Sequence, residues 1–91
     1  MEDKLLLKLT STQRQLLLKY KNFIMNKIVM RAISVALKMN NNYHAYLDYE
    51  NFKDLVSQVA VVANHEKGYE MADETRKLAD YIEDCFEKFE L

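Results

Sequence analysis

From Leu16 to Leu37 apolar residues recur every three or four positions, but the face they mark changes part-way along. Leu16, Leu17, Tyr20, Phe23, Ile24 and Ile28 share one face at helical spacing, with Gln15, Lys19, Asn22 and Asn26 opposite. Beyond them Val29, Ala32, Ile33, Ala36 and Leu37 form a second apolar set beside the polar Arg31, Ser34 and Lys38. On a helical wheel the second face points nearly opposite to the first. One straight helix with one core cannot satisfy both. No Pro or Gly stands in the stretch to break it, so the pattern predicts a long continuous helix whose second face meets another part of the fold or another subunit. A break near Asn26-Lys27 is the alternative.

The start of that helix is marked by Thr10-Ser11-Thr12-Gln13, a capping box with Thr10 as N-cap and Gln13 three residues on. Its end is marked by Asn40-Asn41-Asn42, since Asn tolerates the left-handed backbone of helix ends. Residues 2–9 are expected to add a helical turn or two, with acids at the start favouring the helix dipole. A second helix is expected from Tyr43, or from an Asp48 N-cap, to Lys67, with Phe52, Leu55, Val56, Val59, Ala60, Val62 and Ala63 as its stripe and Gly68 as its C′ residue. Over residues 70–90 Met71, Thr75, Leu78, Ile82, Cys85 and Phe89 follow the alternating four–three spacing of a bundle seam.

Composition reinforces a helical reading. The 91 residues include one Gly and no Pro, whereas hairpins call for residues that adopt positive φ. The expected fold is therefore all-α: one domain over residues 1–91, a bundle of about three helices, with one long N-terminal helix and two following antiparallel helices, intertwined in a homodimer. Val29, Ile33, Ala36 and Leu37 are the expected self-association surface. A single cysteine, Cys85, excludes an internal disulfide. No apolar stretch is long enough for a membrane span, and the N-terminus lacks a basic signal-peptide region, so a cytoplasmic protein is expected. The Lys-, Asn-, Tyr- and Ile-rich composition suits an A/T-rich genome, such as a low-GC bacterium or its phages.

Net charge, −1 overall, divides along the chain. Residues 1–38 carry eight cations and two carboxylates, residues 39–91 five cations and twelve carboxylates. The basic half raises nucleic-acid binding through Lys19, Lys21, Lys27 and Arg31, with Arg14 and Lys38 nearby. These side chains point in several directions, the acidic C-terminal half would repel phosphates, and no compact helix-turn-helix with a short Gly-containing turn is visible, all of which disfavours that reading. Packing of the two halves on each other, or on a second copy, accounts for the asymmetry as well.

Catalytic chemistry has little to build on. His44 with Asp48, and His65, lack the three or four ligands of a zinc site, so no metal is expected. Glu50 with Asp54, and Glu70 with Asp73 or Glu74, stand one helical turn apart. Two such pairs facing each other could hold Mg²⁺ and phosphates, a metal-dependent all-α nucleotide phosphohydrolase being the enzymatic alternative; solvated acidic faces are the simpler account. No nucleophile constellation and no Gly-rich phosphate loop is present. An enzyme is not expected, nor a cofactor.

Tyr43, Tyr46 and Tyr49 recur every three residues, with Leu47 among them, and tyrosine is enriched at protein interfaces. The sequence is thus read as a protein–protein interaction module that docks a helical surface on a partner protein. By size and composition it resembles small regulators or inhibitors encoded by phages and mobile elements, anti-CRISPR-like proteins among them. A small nucleic-acid-binding regulator is the third possibility.

Overall fold

A computed structural model describes residues 4–65 and 69–90. It is an α+β fold, and this corrects the all-α helical bundle expected from the sequence. The elements are strand β1 (Leu5–Leu9), helices α1 (Ser11–Lys19) and α2 (Lys27–Ser34), strands β2 (Leu37–Met39) and β3 (Asn42–Leu47), and helices α3 (Tyr49–His65) and α4 (Tyr69–Glu90). The strands form one antiparallel sheet in the order β1-β3-β2.

The expected opening helix is strand β1. Its Leu7 and Leu9 are buried while Lys8 between them is exposed, the period-2 pattern of a strand with one covered face. Four leucines in five residues disguise that alternation. β1 pairs along its whole length with β3, from Leu5 opposite Leu47 to Leu9 opposite Tyr43. At its other edge the Tyr81 hydroxyl of α4 donates to the Lys8 carbonyl.

The long continuous helix is also corrected. Thr10 does cap α1, its hydroxyl accepting from Gln13 N at 3.1 Å while the Gln13 side chain accepts from Thr10 N at 2.9 Å. The helix then ends at Lys19, and residues 20–26 connect it to α2. In that connection the Phe23 and Ile24 amides both donate to the Tyr20 carbonyl at 2.9 Å. Tyr20 and Ile24 are buried; Phe23 and Met25 are exposed. The change of apolar face read from the sequence is this break, which needs no Pro or Gly because Asn26 starts a new helix with its own side chain as cap.

The triple Asn is a hairpin turn rather than a helix stop. Asn40 and Asn41 have φ of 52° and 71°, and Met39 pairs with Asn42 across them. Positive φ at both central residues defines a two-residue type I′ turn, whose twist matches its strands. Asparagine supplies here what glycine usually does.

α3 begins as the Asp48 N-cap reading expected: the Asp48 carboxylate accepts from Asn51 N at 2.9 Å. Gly68 lies outside the described residues. α3 and α4 pack as a helical pair, Phe52, Leu55, Val59 and Val62 meeting Leu78, Ile82 and Phe86 in a single core cluster that also holds Leu7, Leu9, Leu17, Ile24, Val29, Ile33 and Leu47. On α4 the buried face runs Thr75, Leu78, Ile82, Phe86, with Cys85 partly buried and Phe89 exposed. Buried Thr75 lies 3.1 Å from the Tyr20 hydroxyl, tying α4 to the end of α1.

Candidate nucleic-acid interface

The α2 helix has one face in the core and one in solvent. Val29 and Ile33 are fully buried, while Lys27, Ile28, Arg31, Ser34 and Val35 are exposed. Those exposed positions recur at i, i+1, i+4, i+7 and i+8, a continuous outward stripe. Lys27 and Arg31 stand one turn apart on it.

Both ends of α2 are fixed by side chains from elsewhere. At the N-terminus Asn26 Oδ1 accepts from Val29 N at 3.1 Å. Its Nδ2 donates to Asn51 Oδ1 at 3.0 Å and to Asp54 Oδ2 at 2.8 Å, both on α3. One asparagine therefore caps α2 and locks it to α3. At the C-terminus Arg14 of α1 donates from Nε to the Ile33 carbonyl at 3.1 Å and from Nη2 to the Ser34 carbonyl at 3.0 Å. These are last-turn carbonyls, of which Ile33 O also accepts a long bond from Ala36 N at 3.4 Å, and a guanidinium both satisfies them and complements the dipole. The same guanidinium lies 4.5 Å from the centre of the Tyr43 ring on β3. Arg14 thereby joins α1, α2 and β3, and its charge is engaged within the fold.

Charge is distributed by structural unit. From Lys4 to Leu47, the span holding the sheet, α1 and α2, there are eight cations and no carboxylate side chain. Seven of those cations, all but Arg14, are exposed. Twelve of the fourteen carboxylates of the chain lie from Asp48 onward, in the α3–α4 half. Lys19 and Lys21 stand at the end of α1 and in the connection, Lys27 and Arg31 on α2, and Lys38 in the middle of β2. A sequence window from 1 to 38 blurs this division; the unit boundary at Asp48 sharpens it.

The other expected site residues are spread over the fold. Tyr43 and Tyr46 point to opposite sides of β3: Tyr43 lies under Arg14, and Tyr46 is 54% exposed on the outer sheet face. Leu47 is buried in the core, and Tyr49, on α3, packs against Phe86 with ring centres 5.1 Å apart. Of the self-association set, Val29 and Ile33 are in this chain's core, Ala36 is partly buried, and Leu37 is 70% exposed.

Among the carboxylates Glu50 is exposed, Asp54 accepts from Asn26, and Asp73 pairs with Lys77 at 3.1 Å. The Glu70 side chain lies outside the described residues. Among the described residues no group of three or more His, Cys, Asp or Glu is placed to hold a metal ion. No helix among them is long and apolar enough to cross a membrane.

Two roles were not read from the sequence: the Asn26 link to α3 and the Arg14 clamp. Asn26 carried a signal, since a capping residue at the point where the apolar face switches announces a new helix. Arg14 carried none, because its partners are backbone carbonyls 19 and 20 residues away. Comparison with protein-family models, curated proteins and solved structures finds no match to this chain.

Proposed function

We propose that the chain is a small nucleic-acid-binding regulator that presents α2 to a duplex. The observation that carries this is the absence of any carboxylate side chain from Lys4 to Leu47 among eight cations, in a unit whose second helix exposes Lys27, Arg31 and Ser34. Two helices followed by a hairpin, on a sheet ordered β1-β3-β2, form a helix-turn-helix unit with a β-hairpin wing. In such units the second helix enters the major groove and the flanking elements hold the backbone. Here the connection of seven residues is longer than the three or four of the tightest such motifs. Arg31 offers a fork for guanine edges, Ile28 and Val35 offer apolar contact to thymine methyls, and Lys19, Lys21, Lys27 and Lys38 suit phosphates.

Fluorescence anisotropy of a mixed-sequence duplex at rising salt tests the reading. Retention should fall steeply with salt, and Lys27→Glu with Arg31→Glu should abolish it while helical content is kept. Salt-independent or absent retention by the wild type overturns the reading.

A second reading, a protein–protein module, is favoured by a different observation. Phe23, Met25, Ile28, Val35, Leu37 and Met39 are six large apolar side chains exposed within seventeen residues, Met25 at 86%, and exposed apolar surface of this kind marks interaction sites. A partner protein or a second copy in a homodimer would cover them. Light scattering on the wild type and Leu37→Asp separates the cases: a dimer made monomeric by the substitution supports self-association.

A further inference from the structure

The edge of β1 and the last turns of α4 enclose an open groove of about 350 Å³ lined by Leu6, Lys8, Tyr81, Cys85, Lys88 and Phe89. None of these residues belongs to α2, and the groove has no role in the proposed duplex binding. Its size falls within the range of small-molecule sites, and its composition follows their usual plan of an apolar body with a few placed polar groups. Leu6, the Tyr81 and Phe89 rings and the Cys85 thiol provide the apolar walls. Lys8 and Lys88 are the charged groups, both exposed, and among the described residues no carboxylate lines the groove. Neither lysine has an ion-pair partner among the described residues. The apolar surface continues onto the outer sheet face, where Leu6 stands directly opposite half-exposed Tyr46.

We infer that this groove binds a small amphiphilic carboxylate, its aliphatic or aromatic body against Leu6, Tyr81 and Phe89 and its anionic head between the Lys8 and Lys88 ammonium groups. The lysines select the charge: an anion gains two attractive partners, while a neutral or cationic head of equal chain length does not. Exposure of both lysines keeps the interaction in a high-dielectric setting, so the apolar body supplies most of the affinity and the charge supplies selectivity. The Tyr81 hydroxyl is already engaged with the Lys8 carbonyl, which holds the ring as a fixed wall. Cys85, the one cysteine of the chain, reports occupancy from within the groove.

The test is the rate at which iodoacetamide alkylates Cys85 in the full chain, with decanoate below its micelle concentration, and with decanol and decyltrimethylammonium as matched controls. Decanoate is expected to slow alkylation at least about fivefold at saturation, and the two controls less than twofold. In Lys8→Glu with Lys88→Glu, two exposed substitutions, protection by decanoate is expected to vanish with the circular dichroism spectrum and melting temperature unchanged. Equal protection by decanol, no protection by decanoate, or protection surviving the double charge reversal each overturns the inference. None of these outcomes bears on duplex binding by α2, so the two readings stand or fall separately.

Discussion

Asn26 and Asp54 meet at 2.8 Å, the Asn26 amide donating to the carboxylate while its oxygen caps α2. This single contact sets where α2 begins and how it sits on α3, and so fixes the direction in which Lys27 and Arg31 project. Asn26→Ala removes the cap and the bonds to Asn51 and Asp54 together. Urea unfolding is expected to show a loss of about 1–3 kcal/mol. Asn26→Asp keeps the capping oxygen but sets a carboxylate against Asp54 in place of the donated amide hydrogen bond, and it is expected to be destabilising at neutral pH, less so at high salt. An Asn26→Ala protein as stable as the wild type would remove this contact from the account.

Arg14 clamps the other end of the same helix. Arg14→Lys retains a cation but not the fork that reaches two carbonyls and stacks on Tyr43. Arg14→Lys and Arg14→Met are both expected to cost about 1–2 kcal/mol in denaturant unfolding, within a few tenths of each other. Full rescue by lysine would show that charge alone matters there.

The turn at Asn40-Asn41 makes an opposite pair of predictions. Both residues have positive φ, so Asn41→Gly is expected to be neutral or slightly stabilising, giving the favoured Asn-Gly pair. Asn40→Ile, β-branched at a left-handed position, is expected to lose about 1–2 kcal/mol. Thermal melts followed by circular dichroism decide both.

These positions also show what the sequence could convey. The capping boundaries at Thr10 and Asp48, and the helices beyond Tyr49, are local features, and side-chain chemistry three residues apart reveals them. The sheet is not local: β1 and β3 pair across 33 intervening residues at Leu9–Tyr43 and 41 at Leu5–Leu47, and no short window displays that. Three strands of five, three and six residues leave little room for alternation, and Leu5-Leu6-Leu7 conceals it further. The tyrosines at 43, 46 and 49 imitate helical spacing, yet two belong to opposite sides of a strand and the third to the next helix. The single Gly and the absence of Pro misled most, because Asn40 and Asn41 meet the turn's demand for positive φ. Of the candidate interface, Lys19, Lys21, Lys27 and Arg31 were legible as cations. Their shared unit became visible only once the break at Asn26 separated α2 from α1.

Tyr81 links stability to pH. Burial first, then hydrogen bonding and charge interaction with Cys85, push its phenol up from 10.0 to about 12. Between these values the folded state retains a proton that the unfolded state has released, so stability falls as pH rises. The contribution is fully present below about pH 10 and lost as pH climbs through about 12. Partial exposure of the ring limits its size. Tyr81→Phe is expected to flatten the decline in melting temperature over that window, and to cost about 1 kcal/mol at neutral pH through the lost bond to the Lys8 carbonyl. An unchanged alkaline decline in the variant would assign it to other groups.

Whether α2 meets a duplex is decided by amide chemical-shift mapping of the labelled protein during titration with a short mixed-sequence DNA duplex. Duplex binding through α2 should give saturable perturbations concentrated at residues 27–35 and 38–42, with little change on the α3–α4 helices, all suppressed by raised salt. Perturbations centred on the acidic α4 face or the outer sheet face, or none at all, would contradict it and return the exposed Phe23–Met39 side chains to a protein partner.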